Sequence, residues 1–143
     1  MPARDSILGE IQGRRQGAQD AVRRHYLKNL ADLTGRNTIV YASGFTSRNV
    51  PNVPSFVFSL SLEDIQGFMG AIHGLKGDTL DLVLHSPGGS FEAADQIVTY
   101  LRSKFSHIRA IVPQNAMSAA TMIACACDEI VMGKQSAIGP IDP

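Results

Sequence analysis

The sequence predicts an α/β domain built on a parallel sheet with crossover helices. From residue 36 onward, short β-branched apolar runs recur, each is followed by a segment with helical apolar spacing, and the turns between are rich in Gly, Pro and Ser. Asn37–Ala42 (NTIVYA) is a strand by composition. Residues 43–55 hold Gly44, Pro51 and Pro54 and read as a loop, with Phe56–Leu60 a second short extended piece. Ser61, with Glu63 and Asp64 close behind, starts a helix, because such groups satisfy the free N–H donors of a first turn. Leu62, Ile65, Phe68, Met69 and Ile72 give that helix its apolar face. Leu80–Leu84 is the next strand, SPGG at 86–89 a tight turn, and Ser90 opens a helix to about Phe105. Ile108–Val112 is a strand, a helix runs over Ser118–Cys127, and Glu129–Met132 (EIVM) is the fourth clear strand. Strands and helices that alternate in this way call for right-handed crossovers.

Residues 1–35 differ in character and form a separate helical arm ahead of the domain at 36–143. Ala21, Tyr26, Leu27, Leu30 and Leu33 recur at helical spacing amid four arginines, and Gly9, Gly13 and Gly17 sit four apart. The arm is expected to pack on a partner subunit. Across the 143 residues, 13 basic side chains balance 13 acidic ones, which excludes the whole-domain positive field of a nucleic-acid binder. No apolar run approaches the ~20 residues of a transmembrane segment. No stretch of signal-peptide length opens the chain either, so a cytoplasmic location is expected. Cys125 and Cys127 lie two apart in an apolar segment and read as small buried side chains rather than a disulfide. The His, Cys, Asp and Glu residues show no metal-ligand spacing, so neither a metal nor another cofactor is expected.

Two strand-to-helix turns could carry chemistry, because open α/β sheets hold ligands at the carboxyl ends of their strands. The first is His85-Ser86-Pro87-Gly88-Gly89-Ser90, whose glycines let backbone N–H groups point into a cleft. Those groups suit a phosphate or a developing oxyanion equally, although the run taken alone reads as a structural turn. It lacks the Lys and Ser/Thr of a phosphate-binding P-loop. The second turn is Asn115-Ala116-Met117-Ser118-Ala119-Ala120-Thr121. A serine at a helix entry between small residues can be a nucleophile that a carbonyl can reach, or simply an N-cap.

Together these segments resemble a known family. DLVLHSPGGSFEAADQIVTYLRS, then IRAIVPQNAMSAATMIACACDEIVMGKQSAIGPIDP, look like the serine dehydrogenase proteinase family. That family shares the Clp-protease/crotonase-like fold, as does signal peptide peptidase A. The resemblance covers residues ~36–143 and rests on SPGG, AMS about 28 residues later, DEIVM and IGPIDP in combination. It implies a serine peptidase acting on polypeptides and assembled as a homo-oligomer. Ser118 would be the nucleophile, and the N–H groups of Gly88 or Gly89 and of Ala119 would form the oxyanion hole. The strand and helix start after Gly89 would line a cleft for an extended peptide.

The chain departs from the family in two ways. Ala119 and Ala120 stand where the family more often has glycines, which narrows the cleft. The general base is also missing from its usual places, although a serine hydroxyl needs one. Clp-type relatives use a histidine and an aspartate, but no histidine follows Ser118, which favours the serine–lysine type. Lys134 is the only later lysine, in a turn where it also reads as an exposed loop residue; His85 reads as a base or as a brace for the SPGG turn. The chain looks like the N-terminal part of the family's domain, with the base expected beyond residue 143. Two other readings follow: a catalytically silent scaffold that keeps the peptide cleft, and a crotonase-like acyl-CoA enzyme, which would not need an activated serine.

Overall fold

Alternation every second residue puts Leu80, Leu82 and Leu84 on one face of strand β2 (Thr79–His85), where solvent reaches none of them. The computed structural model describes residues 17–46 and 52–141 together with Ser6, Ile7 and Gly9. Around β2 lie β1 (Asn37–Ala42), β3 (His107–Val112) and β5 (Glu129–Met132), in the order β1-β2-β3-β5 and parallel throughout. Between them run α2 (Asp64–Ile72), α3 (Phe91–Lys104) and α4 (Ala119–Cys125). Their buried faces share one core with the β2 leucines: Phe68 and Ile72 from α2, Ala94, Ile97 and Leu101 from α3, Ile123 from α4. Burying each large aliphatic side chain contributes roughly 1.5–3 kcal/mol, so this face is the main source of stability.

Local chemistry sets the helix starts. Ser90 caps α3 by accepting the Ala93 N–H at 3.1 Å, and Asp64 accepts the Ser61 N–H at 2.7 Å ahead of α2. One expected strand differs. Residues Ser55–Phe58 form a single 3-10 turn instead of an extended piece, and only Leu60 pairs, in a parallel bridge to Gly89. Pro54 before that segment fixes φ at −59° and favours the turn.

Helix α1 (Ala18–Thr34) ends at Gly35, whose N–H donates to the Ala31 carbonyl from a φ of +67°. Its buried residue is Val22, whereas Leu33, expected on the apolar face, is 85% exposed. The glycines at 9 and 13 belong to a stretch that is largely outside the described residues. No helix among the described residues is long and apolar enough to cross a membrane. On the opposite sheet face, Val40, Val83, Ile111 and Val131 lie in register and are half-buried or exposed.

Both cysteines are free thiols. Cys125 is exposed, contrary to expectation, because it falls on the solvent side of the last turn of a seven-residue helix. Cys127 donates to the Ile123 carbonyl, and burial pushes its thiol up to about 11.

Asp128 ties α3 to β3, accepting Arg102 Nη1 and the Ile108 N–H, both at 2.7 Å. Those bonds hold its carboxyl down to about 2. A carboxylate with a lowered folded-state pKa contributes stability above its unfolded pKa and loses it as pH falls through the folded value. The urea-midpoint difference between the parent and Asp128→Asn should therefore hold constant above pH 5, shrink below about pH 4 and close near pH 2. A difference that stays constant down to pH 2 would contradict the tether.

Candidate active site

The two Gly/Ser-bearing turns lie side by side. The Ser86 N–H donates to the Asn115 carbonyl and the Met117 N–H to the Ser86 carbonyl, both at 3.0 Å, so Ser86 and Ala116 form a parallel bridge. On the far side of β4 (Asn115–Ala116), β6 (Ala137–Ile138) continues the pairing, with Ala137 N–H to Gln114 at 2.7 Å and Gly139 N–H to Ala116 at 3.1 Å. Thr121, buried, donates its hydroxyl to the Ala116 carbonyl at 2.7 Å and pins the start of α4.

Glycine is required where the turns touch. Gly88 has a φ of +91°, and a Cβ there would overlap the Met117 carbonyl oxygen and lie 2.7 Å from Ser118 Cβ and 3.0 Å from the Ala119 nitrogen. A Cβ on Gly89 would run into the backbone of Leu60, which bonds to both sides of it: Leu60 N–H to the Gly88 carbonyl at 2.7 Å, Ser90 N–H to the Leu60 carbonyl at 2.9 Å. The backbone edge beyond Gly89 is thus taken by Leu60. An open groove of about 710 Å³ lies beside it, lined by Phe56, Val57, Leu60, Leu62 and Ser90.

Ser118 is half-buried at φ 52° and ψ −120°. A non-glycine residue in that region carries on the order of 1–3 kcal/mol of strain, which persists only where the surroundings impose it. Its side chain does not cap α4, and its hydroxyl has no hydrogen-bond partner among the described residues. The N-cap alternative is therefore not the geometry seen. Ala119 and Ala120 have no exposed surface.

The nearby amides differ in their commitments. The Gly88 N–H donates to Ser86 Oγ at 3.1 Å. Those of Gly89 and Ala119 have no acceptor among the described residues. His85 sits behind the turns with both ring nitrogens engaged: Nδ1 accepts the Asn115 N–H at 3.4 Å, Nε2 lies 3.3 Å from Thr46 Oγ1, and the ring packs on Phe45. Lys134 lies in the exposed turn between β5 and β6, which is closed by Gly133 and Ser136. Ser118, Gly88, Gly89 and Ala119 are brought together, and Lys134 is in a separate turn. No group of three His, Cys, Asp or Glu among the described residues could hold a metal ion.

Sequence reasoning missed a polar pair under the site. Tyr41 Oη donates to Asp64 Oδ2 at 3.1 Å while its ring stacks on Phe68. Burial first, then the Asp64 charge and hydrogen bond, push the phenol well above its ordinary range. Nothing in the local sequence signals that pair, because its two residues lie 23 positions apart on different elements.

A family model described as ClpP-like SDH-type serine proteinase matches residues 11–143. An uncharacterized protein of Methanocaldococcus jannaschii, MJ0137, is 34% identical over 118 residues, covering 82% of this chain and 41% of that protein. A second from the same organism, MJ1495, is 37% identical over 92 residues, covering 64% of this chain and 31% of that one. The chain thus spans less than half the length of these curated relatives. Among solved structures, it is similar to the ClpP protease catalytic domain from Plasmodium falciparum, with a TM-score of 0.44 and 12% identity over 59% of this chain and 64% of that one.

Proposed function

Because the chain belongs to the ClpP-like, SDH-type serine proteinase family, we propose that it carries the nucleophile and oxyanion donors of a serine peptidase. The observation that carries this reading is Ser118, strained at φ 52° with an uncommitted hydroxyl, packed against the Gly88 turn. Ser118 Oγ attacks the carbonyl carbon of a peptide, and the tetrahedral oxyanion is received by the N–H groups of Gly89 and Ala119. Gly88 drops out as a donor because its N–H is spent on Ser86. Collapse expels the amine and leaves an acyl-serine, which water then hydrolyses. One such donor is worth about 3–4 kcal/mol in the transition state, so two fixed amides are a large share of the rate.

An extended peptide lies outside Leu60, with apolar side chains in the groove bounded by Phe56, Val57 and Leu62, all exposed. The proton on Ser118 goes to a base outside the described residues, from a further segment or a second copy, because no described residue hydrogen-bonds the hydroxyl. His85, with both nitrogens engaged, acts as a brace. The half-exposed row Val40, Val83, Ile111 and Val131 supports self-association.

The missing partner at Ser118 also favours a second reading, a scaffold that binds peptides without cleaving them. A fluorophosphonate probe separates the two. Ser118 Oγ displaces fluoride from phosphorus, and intact mass reads one added phosphonyl group. We expect labelling of the parent where a second copy supplies the base, or of a longer relative where a further segment does, and none of Ser118→Ala in either. A folded parent that stays unlabelled, alone and in a longer relative, would overturn the peptidase reading and leave the scaffold.

A further inference from the structure

We propose that the outer edge of β5 is an interface for a second copy of this chain, which adds its own β5 antiparallel across a two-fold axis. The two four-stranded sheets then become one. The observation is where the core stops. Leu82, Ala110 and Ile130 lie in register on the helix-covered face, one strand after another. Leu82 and Ala110 have no exposed surface, yet Ile130 beside them is 37% exposed. Val112 and Met132 repeat the step, from none to 40%. Core side chains thus run one strand further than the helices that cover them. The other end of the sheet is finished, with Ile39 of β1 buried in the same cluster as Phe68 of α2.

The backbone edge is open as well. β5 pairs with β3 on one side and with no strand on the other among the described residues. Glu-Ile-Val-Met holds no proline and no lysine, and its unbroken register leaves no bulge, so nothing keeps another strand away.

This strand is complementary to itself in one register. In a sheet that continues across a two-fold axis, residues opposite each other share a face. With Val131 on the axis, it meets its own counterpart, and Ile130 meets Met132 of the second copy, so every pair is apolar. The same register brings Lys134, exposed just beyond the strand, to the acidic start of the other strand at Asp128 and Glu129. Symmetry makes that match of charges twice. The neighbouring register, with Ile130 on the axis, sets Glu129 against Val131 and Met132 against Asp128. The contact is isologous, so it closes at two copies instead of growing into a fibre.

Sedimentation equilibrium and disulfide trapping test the partner and the register. At about 100 μM, where a dimer of micromolar affinity is largely formed, the chain should have twice its monomer mass. Val131→Lys sets like charges against each other on the axis and should raise the dissociation constant at least about tenfold. Val131 is exposed on the face away from the helices, so the variant should keep the parent's circular dichroism. Mixing it with Val131→Glu should restore the dimer as a mixed pair. In a Cys125→Ser background, Val131→Cys should oxidise to a covalent dimer, since Cα atoms opposite each other stand roughly 4.5–5.5 Å apart. Met132→Cys, two residues out of step with its counterpart, should not. A monomeric parent, or a dimer that Val131→Lys leaves intact, overturns the interface. Trapping through Met132→Cys in preference to Val131→Cys overturns the register. If Val131→Lys does not fold, Val131→Cys decides alone, and a failure to trap overturns the proposal.

Discussion

Gly88→Ala is expected to abolish labelling at Ser118 and to lower the thermal midpoint by roughly 10 °C. Two separate penalties combine at this position. A Cβ at φ +91° costs about 1–3 kcal/mol in backbone strain alone. The same Cβ would also drive into the Met117 carbonyl oxygen, Ser118 Cβ and the Ala119 nitrogen. These are backbone or backbone-fixed atoms, so the turns must part instead of a side chain swinging away, at a further cost of about 1–3 kcal/mol. Each kcal/mol moves the midpoint of a domain this size by roughly 3 °C. Parting the turns separates Ser118 from the SPGG amides, so reactivity is lost along with stability. Gly74→Ala is the matched control: its φ is +77°, but a Cβ there meets nothing within 4 Å. It should cost only the strain, about 1 kcal/mol, and label at the parent rate. Parent-rate labelling of Gly88→Ala would show that the contact between the turns does not matter to Ser118.

What could be read in advance divides along the distance over which each feature is determined. Strands β1 and β5 start and stop where expected, because NTIVYA and EIVM are β-branched runs bounded by turn residues. The Ser90 cap was legible for the same reason, since the serine and the amide it accepts are three residues apart. Phe56–Leu60 was not: an apolar, aromatic run of that length fits a strand or a tight helical turn equally. Choosing Val22 over Leu33 as the buried residue of α1 depends on which side meets β1, which its own spacing does not state.

At the site, SPGG and AMS were visible as separate turns, and a family resemblance joined them. The physical join is the Ser86–Ala116 bridge, thirty residues apart in the chain. Which glycine keeps a free N–H depends on the buried Ser86 side chain, whose Oγ accepts the Gly88 N–H, a choice that the SPGG run does not state.

Asp81→Ala should be the costliest change away from the site, about 3 kcal/mol, or roughly 10 °C in midpoint. Asp81 has no exposed surface and holds two guanidinium groups: Arg36 Nε at 2.7 Å, and Arg109 through Nε at 2.9 Å and Nη2 at 2.8 Å. Arg36 is fastened further, to the Leu80 and His107 carbonyls and to His107 Nδ1, so it cannot swing freely into water. With Asp81 gone, two cations face each other with side chains only 16% and 24% exposed. The loss therefore comes from leaving charges uncompensated, not from the worth of the pair. That account has a sign test. Replacing the whole set with apolar residues, Arg36→Met, Asp81→Leu and Arg109→Met, should recover most of the stability that Asp81→Ala loses, because no buried charge is left without a partner. Urea unfolding of parent, single and triple variants reads both numbers. The folded fraction of Asp81→Ala should still label at the parent rate, since about five residues of strand, roughly 16 Å, separate the cluster from the SPGG turn. A single variant within 0.5 kcal/mol of the parent, or a triple variant less stable than the single, would mean the carboxylate contributes something other than charge compensation.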